Sequence, residues 1–428
     1  MPSRFISSSA VSAPCMPLRR RVLLAAALWP MLRVGQVQAQ SKSARVVIAG
    51  GGWGGLRSAA ALRQLAPGLR VTVVDRARHF SSSIGSNRWL VDHAGASAPV
   101  QHEYGALAAA RGYRFVQAEI KGIERAARVV HTSAGEVHYD WLVLAPGVEE
   151  RWQDWGISDP LQRARAQAEV SGALGGAAQL PALRARLQAF RGGDLVLALP
   201  PAPYRCPPAP YERAVLLAWW LKTQRLPGKL IVIDPNPLMP AYRRAFNDTW
   251  REQITYLDHA RVHQIDLDKR SISTDMDDIP FAAALVSPPQ QAPAWLAEAG
   301  LLSSASDLWG AQDPLSLRSL VDEHVFIIGD AAGRVSPQFG HYPKTAHVAA
   351  AMGEMVAAQI AGVVKQASWP ASVCHVLTGV APESGIRLEI DYRRRGDGFL
   401  MQEIRQQQQA DPLAAAAAWA AAQYANFL

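Results

Sequence analysis

Apolar residues in this chain gather into short, nearly continuous runs separated by small or polar turns. Runs of this kind occupy 43–49, 69–75, 139–147, 194–199, 229–234 and 323–329. Four to seven consecutive apolar residues mark strands buried on both faces, as in a parallel sheet. Helical spacing fills several of the intervals, at 56–65, 214–222 and roughly 346–361, with a further example at Leu180, Leu183 and Leu187. Strand, helix and strand therefore recur in the order that builds βαβ units. One unit spans 43–75 and a second spans roughly 191–236. Shorter strands are predicted near 113–116 and 128–132. A less regular region follows the second unit to about 289. Past residue 369 the pattern changes to a strand at 385–391, a charged loop and an alanine-rich helix at 412–424.

The first unit carries Gly50-Gly-Gly-Trp-Gly-Gly55 between its strand and its helix. Gly50, Gly52 and Gly55 set a G-x-G-x-x-G turn, and Asp75 ends the next strand. Glycines at these places let backbone approach a pyrophosphate at the helix N-terminus, and the acid can accept hydrogen bonds from a ribose. The run 139–147 ends in small residues, Ala145 and Gly147, as expected of a strand returning to the same sheet. The run 323–333 ends in Gly329-Asp330. A carboxylate there can take a ribityl hydroxyl, and the helix behind it can face an isoalloxazine edge. After a dinucleotide turn, Gly-Asp points to FAD rather than NAD.

The second unit has a different turn. Between its strand and helix lies Pro200-Pro-Ala-Pro-Tyr-Arg-Cys206-Pro-Pro-Ala-Pro-Tyr-Glu212-Arg213. Proline has no N–H for a phosphate, so this turn is not a nicotinamide-dinucleotide site. It presents a thiol instead. A helix N-terminus at that place is expected to lower the thiol pKa.

Charge changes the picture only at the N-terminus. The 428 residues carry a formal +8, yet residues 1–39 hold five arginines and no acid, so the remainder falls to +3. This is weak ground for nucleic-acid binding. Arg19-Arg20-Arg21 precedes a short apolar run, and Val37-Gln-Ala39 supplies small residues at cleavage spacing. The leader reads as an export signal, and its paired arginines suit the twin-arginine route, which places the mature protein in the periplasm. The apolar run is too short to span a membrane. Cleavage would remove Cys15 and leave Cys206 and Cys374 in an oxidising compartment, which favours one disulfide between them, as a redox pair or as a structural staple. No C-x-x-C-H or C-x-x-C is present, so neither haem attachment nor a metal site is expected.

The turn at 200–213, with the segments 46–55, 139–147 and 324–331, resembles the flavoprotein subunit of flavocytochrome c sulfide dehydrogenase, and more distantly sulfide:quinone oxidoreductases. The resemblance covers most of 44–395. It implies an α/β, two-dinucleotide-binding-domain flavoprotein of glutathione-reductase-like fold with a small C-terminal α+β domain. The expected division is an export signal at 1–39, a first part of the FAD domain at 40–158, a second Rossmann-like domain at 159–287, a second part of the FAD domain at 288–368 and a C-terminal domain at 369–428. The resemblance also implies a redox disulfide Cys206–Cys374 beside the flavin, Glu212 as the nearby carboxylate, a sulfur donor such as sulfide, and a separate c-type cytochrome as acceptor. From its residues alone, Glu212 could equally be an ion pair or a helix N-terminal charge. Serines at 81–83 stand where that family usually carries its flavin on a cysteine, so the FAD is expected to be non-covalent. The loop 335–344 also departs from the family pattern. Two other readings are a sulfide:quinone oxidoreductase, for which no membrane-surface segment is evident, and a flavin-binding accessory protein of a sulfur-oxidising system without steady turnover.

Overall fold

Strand Arg45–Ala49 stands at the centre of a five-stranded parallel sheet. The computed structural model describes residues 44–172, 174, 176–302, 304, 307–363 and 368–428. The leader 1–39, with Cys15, lies outside these described residues. The sheet order places Val325–Ile327, Trp141–Leu144, Arg45–Ala49, Arg70–Asp75 and Arg114–Gln117 side by side. All four pairings are parallel. The outermost strand on one side therefore comes from much further along the chain than its neighbours. It brings Gly329 and Asp330 back beside the glycine turn.

Helix Trp53–Leu65 follows the turn and packs on helix Ala346–Ile360. Both are rich in small residues, and their backbones approach closely. A Cβ on Gly353 would stand 2.4 Å from the Gly54 carbonyl oxygen, and one on Gly54 would stand 3.0 Å from the Ala349 carbonyl oxygen. Ser58 Oγ donates to the carbonyls of Gly54 and Gly353 across the contact.

A second parallel sheet of four strands holds Ile254–Asp258, Leu230–Asp234, Leu195–Ala198 and Ala283–Val286 in that order. The region read from the sequence as less regular thus supplies two of its strands. It also supplies a small antiparallel sheet of Val262–Asp266, Ser271–Thr274 and Asp278–Pro280. Helix Ala209–Thr223 begins five residues earlier than the apolar spacing predicts. Pro210 lies in its first turn, where the N–H that proline lacks would have no helical partner anyway. The helix is buried almost all round, from Ala214 to Ala218 and again at Trp220 and Leu221. The tryptophan pair at 219–220 therefore belongs to core packing.

The C-terminal segment forms an antiparallel sheet of Ser372–Val380, Glu383–Arg394 and Leu400–Gln408, followed by helix Pro412–Ala425. Asp411 caps that helix by accepting the Ala414 N–H. Among the described residues, no helix is long and apolar enough to cross a membrane.

Candidate active site

A cavity of about 500 Å³ runs from the glycine turn of the first sheet to the proline-rich turn of the second, and the C-terminal strand Ser372–Val380 closes its side. Gly52, Asp75, Gly147, Gly329, Asp330, Cys206, Glu212 and Cys374 all line it. Gly50 and Gly55 lie behind the wall and shape it. A Cβ on Gly50, whose φ is +107°, would fall 2.2 Å from the Ala145 carbonyl oxygen, and one on Gly55 would fall 1.9 Å from the Gly50 carbonyl oxygen. Glycine alone fits either position. Asp75 steadies the turn, accepting the Gly51 N–H at 2.7 Å and the Ala77 N–H at 2.8 Å.

Cys206 sits where strand Leu195–Ala198 has ended and helix Ala209–Thr223 has yet to begin. Its φ is +52°, a left-handed conformation that costs a non-glycine residue free energy. Two hydrogen bonds hold it: its N–H donates to the Lys344 carbonyl at 2.7 Å, and its own carbonyl accepts the Ala209 N–H at 2.9 Å. The loop 335–344, which departs from the family pattern, is therefore strapped to the cysteine turn. Cys206 is exposed, and its open side faces the cavity. Burial, the Glu212 carboxylate and Asp330 push the Cys206 thiol up to about 11. This corrects the expectation of a lowered pKa. The Ala209 N–H at the helix start does favour the thiolate, but desolvation outweighs it.

Cys374 lies on the C-terminal strand and reaches the same cavity, and burial together with Cys206 and Glu212 raises its pKa strongly. Both cysteines are free thiols in the structure. The expected disulfide is not formed here, although 168 positions of sequence (374 − 206) separate two residues that share one cavity. Glu212 stands in the first turn of helix Ala209–Thr223, as the helix-charge reading expects, and it also holds two hydrogen bonds. Its Oε1 accepts from Asn87 Nδ2 at 3.2 Å and its Oε2 accepts the Leu377 N–H at 3.2 Å. Burial raises its pKa against those two bonds and the nearby Arg88 and Arg213 cations.

Several polar residues in the wall or behind it were not singled out from the sequence. Lys344 is buried, donates to the carbonyls of Asp330 and Ala332, and lies 3.6 Å from the centre of the Trp309 ring. Its pKa falls to about 7 because burial opposes the charge. His347, at the start of helix Ala346–Ile360, bonds Ser372 Oγ at 2.9 Å and is lowered to about 4 by burial. Asn87 is 6% exposed. These are single polar residues on loops and helix starts whose partners come from distant segments, so no local pattern marks them.

The wall fits FAD by its own features. The two glycines leave room for backbone-to-pyrophosphate approach. Asp330 Oδ1 is buried without a hydrogen-bond partner, on the cavity side, where a ligand hydroxyl could donate. Ser81 and Ser83 line the cavity where a covalent thioether would need a cysteine. Among the described residues, no group of three or more His, Cys, Asp or Glu could hold a metal ion.

Comparison with known proteins agrees with this fold. Residues 181–287 match the family model of the sulfide dehydrogenase (flavocytochrome c) flavoprotein chain, central region. Residues 44–165 match the model of the pyridine nucleotide-disulphide oxidoreductases. Among solved structures, the sulfide:quinone oxidoreductase of the hyperthermophilic bacterium Aquifex aeolicus aligns with a TM-score of 0.70 at 19% identity, covering 88% of this chain and 89% of that one. A NAD-dependent persulfide reductase from A. fulgidus aligns with a TM-score of 0.60 at 16% identity, covering 89% and 77%. At these identities the shared property is the fold. The chain is thus an FAD-carrying oxidoreductase of the two-dinucleotide-domain fold, similar over residues 181–287 to the flavoprotein chain of flavocytochrome c sulfide dehydrogenase.

Proposed function

We propose that this protein is a periplasmic, FAD-dependent sulfide dehydrogenase that works through a Cys206–Cys374 redox pair and passes electrons to a c-type cytochrome. The observation that carries the reading is that both cysteines and Glu212 line the cavity that also holds Gly52, Asp75 and Asp330. In the oxidised pair, hydrosulfide attacks one sulfur. The Cys206–Cys374 bond breaks, a new S–S bond forms between the incoming sulfur and one cysteine, and the other cysteine leaves as thiolate. Thiols with pKa values this high make poor leaving groups. A proton held at Glu212 is therefore needed beside the departing sulfur. When bound, FAD supplies the two-electron acceptor for the pair.

The prolines at 200–210 argue against NAD as acceptor, and the chain contains no c-type haem motif of its own. A separate cytochrome fits a leader that directs export of a folded flavoprotein. Serines at 81 and 83 support a non-covalent cofactor. The fold shared with the Aquifex aeolicus protein favours one second reading, a quinone acceptor at the membrane.

The test is steady turnover. Purified protein given sulfide and oxidised c-type cytochrome should reduce many equivalents of cytochrome per flavin. Acid precipitation of the same sample should leave the yellow colour in the supernatant. Turnover with a soluble quinone and none with cytochrome would favour the second reading. A single reduction without turnover would make the protein an accessory flavoprotein.

A further inference from the structure

Asn87 joins a carboxylate to a cation inside the cavity wall. Its Nδ2 donates to Glu212 Oε1 at 3.2 Å and to the Ala209 carbonyl at 3.0 Å. Its Oδ1 accepts from Arg213 Nε at 2.8 Å. Both N–H donors and the oxygen of the amide are used, and only one orientation satisfies the set: turned over, its oxygen would face two acceptors and its nitrogen a donor. Arg213 also donates to the Gly172 carbonyl, so the guanidinium is anchored to a separate segment. Asn87 comes from the short helix Ser86–Leu90, directly after the serine loop that lines the cavity. Glu212 and Arg213 come from the helix behind the cysteine turn. Both ends of the amide are thus held by one helix, which meets the helix of Asn87 only in the folded protein.

We infer that Asn87 is a positioning residue: it fixes the Glu212 carboxylate facing the Cys206–Cys374 pair and keeps that carboxylate able to exchange a proton with the departing thiol. The inference deepens the reading above and rests on it for the identity of the thiol chemistry. Glu212 and Arg213 are consecutive and of opposite charge, and successive helix positions point in different directions. The amide between them holds the guanidinium on one side and leaves the carboxylate on the cavity side. Leu377 N–H supplies the second fixed donor to that carboxylate. The other charged or titratable groups acting on this cluster are Arg88, Cys206, Cys374 and Tyr242, with Asp330 and Arg205 acting on Cys206.

The experiment reads Glu212 directly and uses no sulfide, so its failure is separable from failure of the functional reading. The pH-dependent infrared band of a protonated carboxyl is recorded for FAD-loaded, reduced protein. Subtracting the Glu212→Gln spectrum isolates that one group. In Asn87→Leu the ionised form loses a donor while the wall stays dry, so the midpoint should rise by about one pH unit. Asn87→Asp has the shape of the native side chain and guards against misfolding. It should also raise the midpoint, because it removes the same donor and adds a second acid. A merely structural role predicts the opposite sign, since a loosened wall admits water and lowers the midpoint toward ordinary carboxylate values. A midpoint unchanged or lowered in both variants would overturn the assignment.

Discussion

Cys206 is a thiol exposed on the cavity wall, and the protein around it opposes its ionisation. Burial and the facing carboxylates raise it to about 11, above the ordinary thiol range near 8.5. Only the thiolate reacts with iodoacetamide, so alkylation of Cys206 in the reduced protein should still climb about tenfold per pH unit between 8 and 10. A rate that levels off above pH 9 would show an ordinary thiol. Glu212→Gln removes one of the charges that raise it and should move the same curve to lower pH. Mass spectrometry of the labelled peptide separates Cys206 from Cys374. Reading the thiol from sequence gave the wrong sign for a physical reason. A helix start is a local feature, whereas the desolvation that outweighs it comes from segments distant in sequence. Glu212 shows the same limit. Its place just before a buried apolar run is legible, but its partners Asn87 and Leu377 are not. That Cys206 and Cys374 share one cavity was legible only through the family resemblance of the proline-rich turn.

At the scale of elements, the cavity depends on how closely two helices approach. Helices Trp53–Leu65 and Ala346–Ile360 both begin at the cavity, with Trp53, Gly54, Ala346 and His347 among its lining residues. Their close contact at Gly54 and Gly353 sets the distance between those two helix starts. Gly353→Val should push them apart, lowering stability by about 1–3 kcal/mol and weakening FAD binding together with it. Thermal unfolding and flavin titration measure the two effects. A variant with lowered melting temperature and unchanged FAD affinity would show that the helix contact does not position the cavity. The strand pattern carried this level of the fold well. Continuous apolar runs at 46–49, 142–144, 195–199 and 230–233 are what a twice-covered parallel sheet requires, and each is a strand with buried residues. The strands at 254–258 and 283–286 were harder to read. The first mixes polar with apolar positions because its outer edge faces solvent, and the second follows the small antiparallel sheet rather than a helix, so no βαβ pattern marks it.

Over the whole molecule, three stretches of sequence far apart converge on one cavity: the glycine turn, the proline-rich thiol turn and the C-terminal strand with Cys374. The glycine turn and the Gly-Asp strand end announced the flavin because sterics leave few residue choices there. The C-terminal strand was announced by nothing in its local sequence, since a single cysteine on a strand has no signature. The central claim is that electrons from sulfide pass through the cysteine pair. Anaerobic sulfide titration, followed by flavin absorbance, tests it most directly. Wild-type protein should bleach as sulfide is added, and Cys206→Ser should bleach at least ~100-fold more slowly, the scale of loss when one member of a group acting as a unit is removed. Identical bleaching of the two proteins would contradict the account.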